Sequence, residues 1–150
     1  MGYPIRNVGI DTNDLDRAEA FWAAAMGYER RASIPNYRLL GDPAGHGPNV
    51  LLQRVPEPRD GKNRLHLDLQ ADDVDAAADE LVALGATRLR RFDQPGDTWV
   101  VLTDPDGNEF CLCQREPKIP EPSRPPTEST SPWPPTESTS PRPPTESERG

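Results

Sequence analysis

The sequence has few of the side chains on which covalent catalysis most often depends. It contains two cysteines and two histidines, and Ser33 is the only serine before residue 117. No nucleophile–base pair with a recognisable spacing and no glycine-rich phosphate loop stands out. General acid–base catalysis would therefore have to come from His66, Asp68, Glu109 or Asp11, and His66 and Glu109 are the candidate catalytic residues.

The two cysteines, Cys111 and Cys113, are too close in sequence to form a disulfide that stabilises the fold. On one strand their Cα atoms would lie about 6.6–6.8 Å apart, with the Cβ atoms too distant for easy bridging. A single C-x-C motif without a second pair is a weak zinc signal. The sequence predicts free thiols in a reducing compartment.

Long hydrophobic runs and a basic surface are also missing. The longest apolar run, 21–26, falls far short of the roughly 18 residues of a membrane helix, and the N-terminus lacks a signal pattern. The net charge is -8, of which the first 116 residues carry -7. An acidic surface argues against nucleic acids and anionic membranes as partners. We therefore expect a cytoplasmic protein with no nucleic-acid or membrane partner.

What the sequence does have is an internal repeat. Residues 8–16 match 67–75 at an offset of 59, Gly27 matches Gly85 at 58, and residues 37–45 match 99–107 at 62. Two copies are too few for a solenoid, which needs about three repeats. They suit a domain of two modules with a ligand cleft between them.

The first copy has the pattern of a strand, a helix and three strands. Alternating apolar residues predict a strand over 6–11, and Asn13 or Asp14 is a suitable cap for the helix that follows. The apolar face of that helix is Leu15, Ala18, Phe21, Trp22 and Ala25, and Gly27 is predicted to end it. Three further strands are predicted over 28–33, 36–41 and 49–55.

The second copy repeats the same order of elements. A strand is predicted over 64–70, and a helix capped by Asp72 or Asp73 and ended by Gly85 follows it. Its predicted apolar face is Val74, Ala77, Ala78, Leu81 and Leu84. Three strands complete the copy, over 87–92, 98–103 and 108–114.

The predicted strand over 64–70 contains more candidate functional side chains than any other predicted strand. We expect Leu65, Leu67 and Leu69 to pack on a helix, and the opposite face, with Arg64, His66 and Asp68, to line a wet concavity. Arg64 is suited to binding an anionic group of a ligand or to pairing with Asp68. Trp99 is suited to stacking in the cleft or to simple packing.

In this order, the motifs resemble the compact glyoxalase-like members of the vicinal oxygen chelate superfamily. The matching stretches are residues 8–17 with 21–22, 26–29, 52–58, 62–69 and 104–111. The resemblance implies an α+β fold in which two βαβββ modules, about 5–58 and 63–115, form an eight-stranded incomplete barrel around a cleft. The domain would occupy 1–116, and a homodimer is a common arrangement.

The resemblance also implies positions for a metal. Metal-using members place ligands on the first and last strands of each module, which here gives Asn7, Gln53, His66 and Cys111. Amides are poor ligands for zinc, iron or nickel. If one divalent metal ion is bound, the candidate ligands are His66, Glu109 and Cys111. The candidate ligand-binding residues are Asn7, Asp11, Gln53, Arg64, Asp68 and Trp99.

Two main functions stay open at this stage, and a scaffold whose tail recruits a partner is a third. One is a protein that binds a small molecule in the cleft between the modules without metal or catalysis. The alternative is a metal-dependent lyase, isomerase or dioxygenase that uses His66 and Glu109 or Cys111 as ligands.

The last part of the chain, 117–150, has a different composition. It contains eleven of the 19 prolines and repeats a nine-residue Pro/Thr/Glu/Ser-rich unit. Such a segment lacks the apolar residues needed to offset the entropy of ordering. It is predicted to be a disordered tail.

Overall fold

The computed structural model describes residues 2–115, which contain two helices and eight strands in the order βαβββ, βαβββ. This α+β architecture of two modules is the one predicted. The Pro-rich segment 117–150 lies outside the described residues, so its disorder and the boundary at 116 stay predictions.

The first module is a four-stranded mixed sheet with one helix. Its elements are β1 (Asn7–Thr12), α1 (Leu15–Met26), β2 (Glu29–Ile34), β3 (Tyr37–Gly41) and β4 (Asn49–Arg54). The strands lie in the order β1-β4-β3-β2, with β1 parallel to β4 and the other neighbours antiparallel.

The second module has the same topology. Its elements are β5 (Asp68–Ala71), α2 (Val74–Ala83), β6 (Thr87–Gln94), β7 (Asp97–Thr103) and β8 (Glu109–Gln114). The order is β5-β8-β7-β6, with β5 parallel to β8. The two sheets do not join into a closed barrel, so β1 and β5 are each an edge strand of their own sheet.

Both helices begin at an aspartate cap. The side chain of Asp14 accepts two backbone N–H groups at the start of α1, and that of Asp73 does the same for α2. Gly27 ends α1 in the left-handed conformation, with φ of 66°. In α2, Leu84 is the C-cap and Gly85 follows it with φ of 114°. With 12 and 10 residues, neither of these described helices is long and apolar enough to cross a bilayer.

The core lies between each helix and its sheet and is continuous across the modules. The buried apolar side chains include Leu15, Ala18, Phe21 and Trp22 of α1, Leu40, Val50 and Leu52 of the first sheet, Val74, Ala78 and Leu81 of α2, and Val100, Leu102, Phe110 and Leu112 of the second sheet. The rings of Trp22 and Phe110 pack edge to face with centroids 5.3 Å apart, which joins the two halves.

Two sequence predictions of burial are wrong. Leu84 is 45% exposed because it caps α2 and lies past the helical stripe, and Leu65 is 89% exposed. The cause at Leu65 is that β5 begins at Asp68, so residues 64–67 precede the strand and do not follow its alternation. Leu67 and Leu69 do pack against the core, as expected.

The turn that precedes β8 in the second module is hydrogen-bonded to the first module. The carboxylate of Asp106 accepts hydrogen bonds from Thr12 Oγ1 at 2.6 Å, from the backbone N–H of Asn13 at 3.0 Å and from Arg17 Nη2 at 2.8 Å. Asn108 Nδ2 donates to the carbonyl of Asp11 at 3.0 Å. These bonds fix the end of β1 relative to the start of β8, and thereby the geometry of the gap between the modules.

Candidate functional site

A cavity of about 420 Å³ lies between the edge strand β1 and the segment that precedes β5. It is lined by residues 7–11, Trp22, Asn63, residues 65–67, Asn108 and Glu109. Both modules therefore contribute to its wall. The volume falls within the range of roughly 300–1,000 Å³ that is typical of small-molecule sites.

The lining of the cavity along β1 includes Gly9, which has no side chain. A Cβ built on Gly9 would have no atom within 4 Å, so the space in front of this residue is empty. Glycine weakens a strand interior, and one of its common uses there is close approach of a ligand. Gly9 was not among the predicted site residues, although a glycine in the interior of a strand is the signal that could have identified it.

His66 is held by two groups of the second module. Its Nδ1 lies 2.9 Å from Asp68 Oδ1 and 3.8 Å from Cys111 Sγ. In the tautomer with a proton on Nδ1, Asp68 accepts that bond and Nε2 is left as an acceptor. The parallel pairing of Asp68 with Cys111 between β5 and β8 brings these groups together.

Glu109 lies in the same wall but is engaged elsewhere. Lys62 Nζ donates to its carboxylate at 2.6 Å, and Arg59 Nη2 lies 3.7 Å away. The hydrogen bond from Lys62 lowers the pKa of Glu109 below its usual value. Glu109 is therefore an ionised partner of Lys62, and its carboxyl is poorly suited to act as a general acid at neutral pH.

The two cysteines are free, half-buried thiols on β8, one on each side of Leu112, and the sequence predicted free thiols. Burial, assisted by the charge of Asp68, raises the pKa of Cys111 to about 11, and burial also raises the pKa of Cys113. A neutral thiol is a weak nucleophile. Neither cysteine therefore has the environment of an activated catalytic thiol.

The other predicted residues divide into two groups. Asn7 and Asp11 line the cavity with His66 and Glu109. Gln53 is paired with Asp11 in the sheet but does not line the cavity. Arg64 is exposed ahead of β5, and Trp99 stacks on Phe92 with ring centroids 4.9 Å apart.

Sequence reasoning missed Asn63, Leu65 and Asn108 as lining residues of the cavity. Asn108 directly follows the turn in which Asp106 bonds to the first module. Its position next to the repeated stretch 99–107 was the signal that could have identified it. Asn63 and Leu65 lie just ahead of β5, and Leu65 was instead expected to pack on a helix.

The four metal positions implied by the family resemblance do not form a cation site. Asn7 and Gln53 supply neutral amides, and Gln53 lies outside the cavity that contains Asn7 and His66. A divalent ion needs three or four good ligands. Within residues 2–115, the one set of three His, Cys, Asp or Glu donors close enough to share an ion is His66, Asp68 and Cys111, whose donor atoms lie within 4.8 Å of one another.

The family model described as "Glyoxalase-like domain" matches residues 7–113. The chain belongs to the glyoxalase-like domain family. This confirms the resemblance to the vicinal oxygen chelate superfamily. No protein with a curated description matches the chain.

Solved structures of the same fold come from several bacteria. A glyoxalase/bleomycin resistance protein/dioxygenase family enzyme from Burkholderia phytofirmans PsJN is 21% identical, with 73% of this chain and 96% of that one covered and a TM-score of 0.61. The fosfomycin resistance protein FosX from Listeria monocytogenes is 17% identical, with coverage of 77% and 95% and a TM-score of 0.64. A variant of FosX has been solved with Mn(II) and 1S,2S-dihydroxypropylphosphonic acid.

Lactoylglutathione lyase from Agrobacterium tumefaciens also shares the fold. It is 22% identical, with 76% of this chain and 95% of that one covered and a TM-score of 0.57. At these identities the likeness establishes the fold, whereas the chemistry of a site depends on its own residues.

Proposed function

We propose that this glyoxalase-like protein binds a small molecule in the cavity between β1 and the segment that precedes β5. The observation that carries the proposal is a cavity of about 420 Å³ to which both modules contribute and whose lining includes His66. Proteins of this fold include a fosfomycin resistance protein and lactoylglutathione lyase, so the fold is compatible with several small molecules.

The wall of the cavity indicates what kind of molecule would fit. The lining includes apolar residues, Val8, Ile10, Trp22, Leu65 and Leu67, and residues with neutral hydrogen-bonding groups, Asn7, Asn63, His66 and Asn108. The carboxylates of Asp11 and Glu109 lie at the same wall, and Lys62 pairs with the latter. We therefore propose an apolar, aromatic-sized ligand with neutral hydrogen-bonding groups, because an anionic group would meet two carboxylates.

The same geometry supports binding without covalent chemistry. The thiols are neutral, Glu109 is paired with Lys62, and His66 is left as the group best suited to hydrogen-bond a ligand. His66→Ala should weaken binding about fivefold, the usual effect of losing one neutral hydrogen bond of roughly 1 kcal/mol.

The test uses a substitution that occupies part of the cavity and is expected to leave the fold intact. Gly9→Val places a β-branched side chain in the empty space before β1, where strand geometry favours it. Binding of a fragment set of aromatic amides, alcohols and acids is measured by ligand-observed NMR with the wild-type protein, this variant and a control. The control is Ala32→Val, which adds similar bulk to exposed β2, an edge strand remote from the cavity.

We expect Gly9→Val to abolish binding and to leave the free energy of unfolding unchanged or raised by about 0.5–1 kcal/mol, because glycine destabilises strand interiors. Ala32→Val should bind like the wild type. Equal binding by the wild type and Gly9→Val would show that the fragments occupy another surface, and the proposal would be wrong.

A second candidate function is a metal-dependent lyase, isomerase or dioxygenase. The observation that favours it is the set of three donor atoms of His66, Asp68 and Cys111 within 4.8 Å. A metal ion bound there would supply a Lewis acid beside the cavity. Elemental analysis of protein purified without chelators tests this: less than about a tenth of an equivalent of any transition metal would contradict it, given the affinity of complete sites.

Two further expectations stay predictions. A homodimer and a cytoplasmic location both agree with the family, and sedimentation and fractionation would test them. Ligand binding in the cavity does not depend on either.

A further inference from the structure

We infer that the small molecule bound under the proposed function, on which this inference rests, is a neutral peptide-like amide that lies along β1. It pairs with the backbone N–H and C=O of Gly9 as a short added strand would. Main-chain hydrogen bonds at a free sheet edge recognise the extended amide, and the side chains of the cavity wall recognise the group that the amide carries.

The pairing of β1 with β4 fixes the direction of the backbone groups of β1. The N–H of Val55 donates to the carbonyl of Thr12 at 2.9 Å, so Thr12 turns its N–H and C=O toward β4. The parallel register extends this direction to Ile10, two residues earlier. Gly9 and Asp11 lie at the alternate positions and therefore turn their N–H and C=O groups away from β4, to the free edge of the sheet.

Two hydrogen bonds from the second module agree with this direction. Asn108 Nδ2 donates to the carbonyl of Asp11 at 3.0 Å, and the carboxylate of Asp106 accepts the N–H of Asn13 at 3.0 Å. In the part of the chain that the structure describes, no group bonds to the N–H or the C=O of Gly9. A donor and an acceptor side by side on an edge strand are a template for a further extended segment.

The space in front of Gly9 suits such a segment. Gly9 lines the cavity, and a Cβ built on it would have no atom within 4 Å. An extended ligand would run about 4.8 Å from β1, the usual distance between paired strands. In antiparallel pairing, one residue of the ligand donates its N–H to the Gly9 carbonyl and accepts the Gly9 N–H through its own C=O. An aromatic side chain on that residue would cover Gly9, as aromatic residues cover glycines at sheet edges.

The size and charge of the cavity limit the ligand to a short, uncharged amide. The bond from Asn108 occupies the carbonyl of Asp11, so a longer strand would have to displace it to continue past Gly9. The cavity of about 420 Å³ is of the size that holds small molecules. Because the carboxylates of Asp11 and Glu109 belong to its wall, the ends of the ligand should carry no negative charge. An amino acid that is capped at both ends meets these conditions.

The experiment compares two probes that differ in one hydrogen-bond donor. The first is N-acetyl-phenylalanine N-methylamide, and the second is its ester analogue, in which an oxygen replaces the N–H of the phenylalanine unit. The ester keeps the shape and the aromatic ring but cannot donate to the Gly9 carbonyl. Affinity is measured by amide chemical-shift titration of the full-length protein, and the exchange of its amide hydrogens with water is followed with and without each probe. Gly9→Val is measured in parallel, with Ala32→Val as the control.

We expect the amide of Gly9 to exchange rapidly in the free protein, and those of Ile10 and Thr12, which face β4, to exchange slowly. The amide probe should slow exchange at Gly9 about tenfold at about 90% occupancy, because exchange then proceeds from the free fraction alone. The ester should bind at least about fivefold more weakly, as the loss of one neutral hydrogen bond entails. Gly9→Val should bind neither probe, and Ala32→Val should bind like the wild type.

Several results would overturn the pairing with Gly9. Equal affinity for the amide and the ester, or no slowing of exchange at Gly9, with shifts at residues 7–11 would leave the cavity as a binding site without main-chain recognition. Binding of other fragments in the cavity but not of the amide probe would have the same meaning. Slow exchange at Gly9 without a probe would show that the edge is already paired, with a second copy if it depends on protein concentration. If no compound binds in the cavity, the proposed function is wrong as well.

Discussion

At the scale of residues, each module has an aspartate at the same position of the repeat, and the pKa values of the two aspartates are shifted in opposite directions. Asp42 and Asp104 occupy equivalent positions of the repeat, each before a proline. Asp42 accepts the backbone N–H groups of Ala44, His46 and Gly47, which lower its pKa. Asp104 is 3% exposed, and burial raises its pKa although Trp22 and Asn108 donate to it.

This difference predicts opposite pH effects for two variants. In the folded state Asp104 binds a proton at pH values above its ordinary 3.8, so its contribution to the free energy of unfolding falls as pH rises through its folded pKa. The stability of the wild type relative to Asp104→Asn should therefore increase as the pH is lowered from neutral. Urea unfolding of both proteins at a series of pH values measures this difference in the free energy of unfolding.

Asp42→Asn is the matched control. The folded pKa of Asp42 lies below 3.8, so its contribution is present above that pH and is lost as pH falls through the folded value. The stability of the wild type relative to Asp42→Asn should decrease toward acid pH. The same direction for both variants would contradict the opposite shifts.

At the scale of elements, the repeated helix caps make a quantitative prediction. Asp14 and Asp73 each accept two backbone N–H groups at the start of a helix. Asp14→Ala and Asp73→Ala should each lower the free energy of unfolding by about 1 kcal/mol, the usual cost of losing an N-cap. Denaturant unfolding checks this, with exposed Asp60→Ala as a control expected to stay within about 0.5 kcal/mol.

The elements also show what the sequence could and could not predict. Helix caps and core stripes are local, so Gly27 was identified and each N-cap was narrowed to two adjacent residues, of which the structure has Asp14 and Asp73. The start of β5 was placed four residues early, because alternation of Leu65 and Leu67 continues beyond the sheet. Whether a residue pairs with a neighbouring strand depends on partners distant in sequence.

The candidate site was predictable in part for the same reason. His66 and Cys111 follow from the repeat and the family resemblance. The contact of His66 with Asp68 and Cys111 requires the parallel pairing of β5 with β8, and the bond from Lys62 to Glu109 requires the path of residues 55–67. Neither is encoded in a local motif.

At the scale of the whole molecule, the cleft depends on how the two modules are joined. Asp106, whose side chain is 3% exposed, accepts bonds from Thr12, Asn13 and Arg17 of the first module. Asp106→Ala leaves these donors without their acceptor and should lower the free energy of unfolding by about 2–4 kcal/mol. Urea unfolding measures the loss; a change below about 0.5 kcal/mol would show that the modules are held by the core alone.

The central claim is that the gap between β1 and the segment before β5 is where a small molecule binds. The most direct measurement is amide chemical-shift mapping by NMR with the fragment that binds most tightly. We predict the largest shifts at residues 7–11 and 63–67, with His66 among them, and no such shifts in Gly9→Val. Shifts centred instead on β6 and β7, around Phe92 and Trp99, would contradict it.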